Sequence, residues 1–498
     1  MDIKKTAKES LKNSGLVGGS QIVNVILGVI KTKAVALLLG PSGVGLIQLF
    51  TSTITLLQNV FSFGLGFSGV RDISESHGTG DQKKLSRTVV TLNRWVWFSG
   101  ILGTLIIIIF SKKISILTFG STNYWQDISF LSIAIMFSNL AASKSALVRG
   151  IRNMGDFVRI NILSYLIGTI ISIPIYYFFR ENGIISVLIF TSISTYIINY
   201  IYSKRIVLPK VSISFKKSAI EGLDMFKLGV FMVIATFITQ LSLYYIRVRI
   251  GDKLGLDYIG YYTAATTLTV TYMGLIFTAM VADYFPKLSA INKDDKLVNE
   301  AVLEQTKIVL LLGTPLILGM YTFSEYIIII LYSSDFIFAK TLLILMLGGV
   351  FFRLIGFPIG YVFMAKGKSK IFIFTQTQWN VIFIFLSLSL WNYFHGLTAV
   401  GIAFILSYFI GIVVNVIILN RLTNFRYDDE TIKYIIIFSI LTVVYFLVSF
   451  YFSGIYILIV KFFGLVFISI YCFKMLERLI GINIYFKIKS ILSKKNKK

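Results

Sequence analysis

The sequence predicts an all-α, polytopic membrane protein with fourteen transmembrane helices and both chain ends in the cytoplasm. Three observations support this fold class. Hydrophobic residues occupy 56% of the 498 positions and the mean hydropathy is +0.80, which is more apolar surface than a soluble chain of this length can bury. Apolar stretches of spanning length recur along the chain. Lysine and arginine are concentrated in alternate connections between them.

The predicted helices follow from the length of the apolar stretches. A helix of about 20 apolar residues crosses the ~30 Å hydrocarbon core of a bilayer. Windows of this kind occur at 14–39, 44–70, 89–110, 127–149, 158–179, 184–203, 226–250, 258–282, 304–332, 341–364, 371–394, 397–420, 434–452 and 455–474. The window at 304–332 is expected to end before Glu325.

The distribution of positive charge sets the predicted orientation. The N-terminal segment, the even-numbered connections and the C-terminal tail, each with adjacent helix ends, hold 37 of the 48 lysine and arginine residues. Because cytoplasmic segments are enriched in these residues, both ends are expected inside. The net charge of +25 therefore reflects membrane topology, and no nucleic-acid partner is predicted. A single cysteine, Cys472, excludes an internal disulfide and a cysteine-based metal site, and no cofactor is expected.

An internal repeat divides the predicted helices. Lys31-Thr32-Lys33 lies 14 residues before Gly45 when counted from Lys31, and Arg247-Val248-Arg249 lies 13 residues before Gly260 when counted from Arg247. Each basic pair ends an apolar helix, and a second apolar helix follows the glycine. This spacing predicts two parallel six-helix lobes at 1–210 and 211–425, with two extra helices and a basic cytoplasmic tail at 426–498.

The connections argue against a membrane enzyme. The longest predicted loop, about Ser203 to Phe226, is too short for a folded catalytic domain. Gly367-Lys368-Ser369 copies the end of a phosphate-binding loop, but Val362 stands where the first glycine is required.

Several motifs together resemble those of Wzx-type flippases, which belong to the multidrug/oligosaccharidyl-lipid/polysaccharide exporter superfamily. The first is Gly28–Asp72, which contains LLLGPSGVGL and FSFGLGFSGVRD. The others are LVRGIRNMGD at 147–156, DYFPKLS at 283–289, LYSSDF at 331–336 and GYVFMAKGKSK at 360–370. The resemblance covers about residues 10–422, and the two C-terminal helices depart from the twelve-helix pattern.

The resemblance implies a MATE-like pair of lobes around a central cavity. It implies a flippase that moves undecaprenyl-pyrophosphate-linked oligosaccharide, such as an O-antigen repeat unit of lipopolysaccharide, from the cytoplasmic to the periplasmic leaflet of the bacterial inner membrane. The expected partners are the lipid-linked glycan, membrane lipids and the polysaccharide polymerase or ligase machinery. The expected functional state is a monomer.

Basic residues inside apolar helices are the candidate substrate ligands, because an intramembrane charge is expensive unless it faces protein or water. The cavity candidates are Lys31, Lys33, Arg247, Arg249 and Arg353. Lys31 and Lys33 lie about 200° apart on a helix, so both cannot face one cavity squarely. The family pattern favours Lys33, and by analogy Arg247. The alternative for Lys31 and Lys33 is that both side chains extend to the outer membrane interface.

Three further basic residues are predicted to admit the head group from the cytoplasm. Arg149 and Arg152 are expected on one helical face, which Arg159 would share if the helix continued, and Lys366 belongs to the GYVFMAKGKSK motif. Candidate hinges are Gly40, Pro41, Pro315 and Pro358, since proline interrupts helical hydrogen bonding. Static packing is the alternative for these positions.

Two other functions stay open at this level. A drug or cation antiporter of the MATE branch would share the architecture, although the sequence places no carboxylate deep in a predicted span. A membrane glycan polymerase or ligase would need a catalytic loop.

Overall fold

The protein is described by a computed structural model over residues 3–480, and the regular secondary structure within that range is entirely helical. Side chains are described from 18 to 479 except for 235, 279 and 282. The backbone of this part forms sixteen α-helices: α1 (Ile3–Phe61), α2 (Leu65–Gly78), α3 (Gln82–Phe119), α4 (Trp125–Gly150), α5 (Met154–Phe179), α6 (Ile184–Lys204), α7 (Phe215–Leu254), α8 (Leu256–Thr266), α9 (Met273–Ala290), α10 (Asp295–Thr322), α11 (Ser324–Leu331), α12 (Ala339–Ala365), α13 (Ser369–Leu390), α14 (Leu397–Thr423), α15 (Asp429–Tyr451) and α16 (Ile455–Ile480). The predicted basic tail beyond residue 480 lies outside the described residues.

The described residues contain ten helical stretches that are long and apolar enough to cross a membrane, and up to twelve if two bent pairs are each counted as one span. The prediction of an all-α, multi-pass membrane protein is therefore confirmed. The finer statements, fourteen spans and cytoplasmic ends, remain predictions. The stretch predicted at 304–332 does end early, since α10 stops at Thr322.

The connection between α6 and α7 is shorter than predicted. α7 begins at Phe215, so only residues 205–214 are non-helical where a loop to Phe226 was expected. Ser214 caps this earlier start, because its side chain accepts a hydrogen bond from the backbone N–H of Lys217 at 3.2 Å.

A single residue breaks α1. Gly40 has φ 64° and ψ −170°, while helical hydrogen bonding continues on both sides. Proline disfavours helical geometry in the residue before it, and glycine accepts a positive φ without strain. Pro41 then starts the second part of the helix, a position that its fixed φ suits. The break at the candidate hinge Gly40-Pro41 is thus a single non-helical residue, Gly40.

The helices pack as two compact units, and the described part of the first comprises residues 3–263 with 329–336. Within it α4 packs against α2, α3 and α6, and α7 packs against α1, α2 and α3. Its core includes the fully buried Ile73, Leu85, Leu92 and Leu140. Glycine permits close contact between its helices. A Cβ atom on Gly64 would lie 2.1 Å from the carbonyl oxygen of Gly229.

The described part of the second unit comprises residues 264–328 and 337–480. Its central helix is α12, which packs against α10, α13, α14 and α15. The buried Val302, Ile359, Phe363 and Leu419 belong to one of its hydrophobic clusters. The two C-terminal helices, α15 and α16, both pack against α10. The predicted division at 1–210, 211–425 and 426–498 stays a prediction.

Candidate substrate-binding site

The two lysines of α1 have different surroundings. Lys33 donates a hydrogen bond from Nζ to the carbonyl oxygen of Ile329 at 2.7 Å. That oxygen belongs to the last turn of α11, where carbonyls have no partner within the helix. Lys31 is partly buried and makes no hydrogen bond or ion pair to any described residue. The sequence could not decide between the two lysines, and the structure gives only Lys33 a polar partner.

The two arginines of α7, Arg247 and Arg249, also have different surroundings. Arg247 is buried, with 9% exposure, and its guanidinium carbon lies 6.0 Å from the centre of the Tyr262 ring. Its Nε is buried without a hydrogen-bond partner among the described residues. Arg249 instead forms an ion pair with Asp252 at 3.5 Å and lines a separate cavity of about 330 Å³. These two arginines, two positions apart, therefore lie in different environments.

Arg353 lies in α12 within the second unit. Its guanidinium carbon is 4.6 Å from the centre of the Phe277 ring, and its Nη1 is buried without a hydrogen-bond partner in the described part of the chain. Contact with an aromatic face stabilises a partly desolvated cation by about 0.5–2 kcal/mol. Arg353 and Arg247 thus share one arrangement, which is a guanidinium beside a ring with one nitrogen left unpaired.

Four of the basic candidates have a charge that no nearby carboxylate of the described residues neutralises. Between residues 18 and 479, no carboxylate lies within 4.0 Å of the charged groups of Lys31, Lys33, Arg247 or Arg353. A buried charge is costly unless it is paired. Such groups are suited to an anion that arrives from outside, and arginine can bind phosphate oxygens with two parallel hydrogen bonds.

One prediction for the residues expected on the cytoplasmic side is wrong. Arg149, Arg152 and Arg159 do not share a helical face, because α4 ends at Gly150 and Arg152 lies in the following turn with φ 62°. Asn153 then caps α5 by accepting a hydrogen bond from the Asp156 backbone N–H at 3.1 Å. The capping residue ends the helix that the arginine spacing had suggested.

The three arginines consequently have separate environments. The guanidinium carbon of Arg149 lies 5.5 Å from the Phe157 ring centre. Arg152 is exposed, and Arg159 pairs with Asp156 at 3.1 Å.

Lys366 holds a turn together. It lies at the end of α12, and its Nζ donates hydrogen bonds to the Asn292 carbonyl oxygen at 2.8 Å and to Oδ1 of Asp295 at 2.5 Å. Its positive charge is therefore already paired in this conformation.

The hinge candidates lie at two kinds of position. Gly40 and Pro41 form the break in α1, whereas Pro315 and Pro358 lie inside the continuous helices α10 and α12. The Tyr284 hydroxyl donates to the Pro358 carbonyl oxygen at 3.1 Å. Movement at these positions remains a prediction.

Sequence reasoning missed Lys144 in α4. Its Nζ donates to Oδ1 of Asn93 at 3.0 Å and lies 5.9 Å from the Tyr200 ring centre, with no carboxylate partner among the described residues. The signal was present, because Lys144 stands among small residues in LAASKSALVRG, before the helix end. Counting it with the cytoplasmic charges concealed it. In the same described part, no cluster of three or more His, Cys, Asp or Glu residues is arranged to hold a metal ion.

Comparison with known proteins places the chain. A family profile described as "Polysaccharide biosynthesis protein" matches residues 34–340. The chain belongs to this family. The match runs from the first part of α1 to the start of α12, so it includes Arg247 and Arg249 but ends before Arg353.

Two named bacterial transport proteins are similar to most of the chain. The lipid III flippase of Escherichia coli (strain K12) is 24% identical over 388 residues, covering 75% of this chain and 90% of the relative. A putative O-antigen transporter of Shigella flexneri is 24% identical over 349 residues, covering 67% of this chain and 79% of the relative. The resemblance to Wzx-type flippases is confirmed.

Solved structures share the fold. The lipid II flippase MurJ in an inward closed conformation has a TM-score of 0.67 at 17% identity, covering 95% of this chain and 100% of that one. An inward-facing multidrug resistance transporter of the MATE family also has a TM-score of 0.67, at 13% identity, covering 81% of this chain and 96% of that one. The expected MATE-like fold is confirmed, and it belongs to flippases and drug transporters alike.

Proposed function

We propose that this protein is a flippase that moves an undecaprenyl-pyrophosphate-linked oligosaccharide across the membrane by alternating access. The observation that carries the proposal is an arginine environment found once in each unit: Arg247 in the first and Arg353 in the second each lie beside an aromatic ring, with an unpaired guanidinium nitrogen and no carboxylate within reach among the described residues. The named sequence relatives are a lipid III flippase and a putative O-antigen transporter, which supports a lipid-linked glycan as substrate.

The proposed mechanism uses charge and conformational change without covalent chemistry. Arg149, Arg152 and Lys366 admit the head group from the cytoplasm, and Lys33, Arg247 and Arg353 neutralise the pyrophosphate while the prenyl chain stays in lipid. In one of the two conformations of the alternating-access cycle, Lys33 would exchange its hydrogen bond to Ile329 for one to the substrate. Because a ligand shifts a conformational equilibrium only through differential affinity, an energy source or removal of product sets the direction.

The proposed topology has fourteen spans, with both ends in the cytoplasm of a bacterial cell and the chain in the inner membrane. Dividing the long helical stretches at Gly40 and at the 3₁₀ turn Arg180–Gly183 raises twelve candidate spans to fourteen.

The alternative functions have less support. The protein is a transporter without enzymatic activity, in keeping with its named relatives. The fold is shared with MATE transporters, but the unpaired intramembrane charges described above are positive, which suits an anionic substrate better than an organic cation. Function as a monomer, and contact with polymerase or ligase proteins, complete the proposal.

Transport in proteoliposomes tests the proposal. A fluorescent polyprenyl-pyrophosphate oligosaccharide is reconstituted, and its leaflet is scored by quencher access for wild type, Arg247→Gln and Arg353→Gln at matched incorporation. Lys113→Gln, an exposed change at the end of α3, is the control. We expect both arginine variants to slow transport at least about tenfold while the control stays near wild type. Export of organic cations by wild type, without glycolipid movement, would overturn the proposal in favour of an antiporter.

A further inference from the structure

A second candidate site lies in the first unit, and Arg247 is not among its lining residues. It is a cavity of about 330 Å³ bounded by the end of α3, the start of α4 and the connection from α7 to α8. This volume is at the lower end of the range for small-molecule sites, about 300–1,000 Å³. Its aromatic lining residues are Phe119, Tyr124 and Tyr245, and its charged lining residues are Arg249 and Asp252.

The aromatic wall is held in place by contacts of its own. The Ser115 hydroxyl donates to the Ser121 carbonyl oxygen at 2.6 Å and accepts from the Tyr124 backbone N–H at 3.3 Å. The Phe119 and Tyr124 rings lie 4.3 Å apart at 33°. Gly120 ends α3 with φ 70°, which turns the chain back toward these rings. A wall fixed before binding reduces the entropy lost when a ligand is ordered.

The polar edge offers donors and acceptors together. Arg249 and Asp252 form an ion pair at 3.5 Å, and the Arg249 Nε is buried with no hydrogen-bond partner in the described range. Lys253 approaches Asp252 at 3.8 Å but does not line the cavity. A phosphate here would meet the carboxylate of Asp252, whereas a sugar hydroxyl can donate to Asp252 and accept from Arg249.

We infer that this cavity binds one sugar ring of the transported glycan, and the inference rests on the flippase function proposed above. The apolar C–H face of the ring would pack on the aromatic wall, and its hydroxyls would bond to Arg249 and Asp252. Apart from the adjacent residues, no described atom lies within 4 Å of a Cβ position at Gly120 or Gly255, so the lining of the cavity is open at these two glycines. In the proposed topology this end of α3 and α7 faces the periplasm, which makes the cavity a glycan subsite on the exit side.

Binding measurements on full-length protein in detergent separate the sugar from the phosphate. The probes are polyprenyl pyrophosphates carrying oligosaccharides that differ in their first sugar, and the same lipid without sugar. The variants are Tyr245→Ala, Arg249→Ala and Asp252→Asn, with Lys113→Gln as control. We expect the first three to weaken binding of the best glycosylated probe about tenfold and binding of the bare lipid less than twofold. Equal weakening of both probes, or no weakening of either, would overturn the inference.

The same assay distinguishes this inference from the function on which it rests. If wild type binds neither probe, the flippase proposal fails as well, whereas binding that does not depend on the sugar removes only the glycan subsite. A second measurement does not require the variants to keep native stability. Leu117, which lines the cavity with 64% exposure, is replaced by cysteine, and the rate at which maleimide labels the new thiol is followed. The native Cys472 is buried and serves as the slowly labelled background. The free oligosaccharide of the best probe is expected to slow labelling several-fold, and unchanged labelling would contradict the inference.

Discussion

Gly45 and Gly260 pack reciprocally against each other's helices. A Cβ atom on Gly45 would lie 2.2 Å from the carbonyl oxygen of Leu256, and one on Gly260 would lie 2.2 Å from the carbonyl oxygen of Pro41. Each oxygen belongs to the residue four positions before the other glycine. The sequence repeat pairs the same two glycines, so the reciprocal contact supports a local two-fold relation between the repeated segments.

Alanine at either glycine should destabilise the protein. Because each Cβ would meet a backbone oxygen that cannot move aside alone, we expect Gly45→Ala and Gly260→Ala to cost roughly 1–3 kcal/mol through overpacking. Thermal unfolding in detergent measures the effect. Gly411→Ala is the matched control, since Gly411 is also helical and no described atom outside its own helix lies within 4 Å of its Cβ position. A similar melting temperature for all three variants would contradict the packing argument.

Lys33 is expected to show a requirement for charge beyond its structural bond. Lys33→Gln can still donate to the Ile329 carbonyl, so its melting temperature should stay near wild type, while transport falls at least about tenfold if the charge neutralises pyrophosphate. Lys33→Arg should retain more transport than Lys33→Gln. If the transport rate instead changes in parallel with the melting temperature in both variants, Lys33 acts only by packing against α11.

The sequence predicted what depends on local chemistry. Apolar length gave the helices, and the Gly40-Pro41 pair gave the break in α1, because proline and glycine act on neighbouring backbone. The bonding partners of the basic residues could not be predicted from the sequence. Lys33 bonds to a carbonyl 296 positions away and Lys366 to a carboxylate 71 positions away. Lipid-exposed helices are apolar on most faces, so their pattern does not encode which neighbour each face meets.

Arg152 shows how local reasoning also failed. Helical spacing joined it to Arg149, but Asn153 is a strong helix cap and ended α4 before Arg152. The resulting φ of 62° is unfavourable for arginine, so Arg152→Gly should raise stability by about 0.5–1 kcal/mol. If its charge admits substrate, the same variant should slow transport. Arg152→Asn, which tolerates this conformation, is the control for charge loss, and a fall in stability in both variants would refute the strain.

Variants of Lys366 and Asp295 can show whether Lys366 guides the substrate or only stabilises the turn. Asp295→Asn removes the carboxylate partner and leaves the Lys366 charge free, whereas Lys366→Gln removes the charge itself. Each change should cost at most about 1 kcal/mol, because Asp295 is half-exposed. We expect only Lys366→Gln to slow transport, with Lys368→Gln as an exposed neighbouring control. Equal slowing by Lys366→Gln and Asp295→Asn would mean that the ion pair holds the turn and does not guide substrate.

The attachment of α15 should depend on pH through Asp428. The buried Lys307 of α10 forms ion pairs with Asp428, at 3.4 Å, and with Glu430, and Asp428 also caps α15 by accepting from the Thr431 backbone N–H at 2.9 Å. Burial alone would raise the pKa of Asp428, but hydrogen bonding from Thr431 and the charge of Lys307 outweigh it and hold that pKa below its usual value.

A carboxylate with a depressed pKa stabilises the fold above its unfolded pKa, about 3.9 for Asp, and loses that contribution as the pH falls toward the folded value. The melting temperature of wild type should therefore exceed that of Asp428→Asn by a constant margin from about pH 8 to pH 5, and the margin should shrink below about pH 4. Asp429→Asn, one residue beyond the cap and without a Lys307 ion pair, should show a much smaller margin. A margin for Asp428→Asn that persists unchanged into acid would show that Asp428 acts through packing, and that Glu430 alone pairs with Lys307 to fix the C-terminal helices on α10.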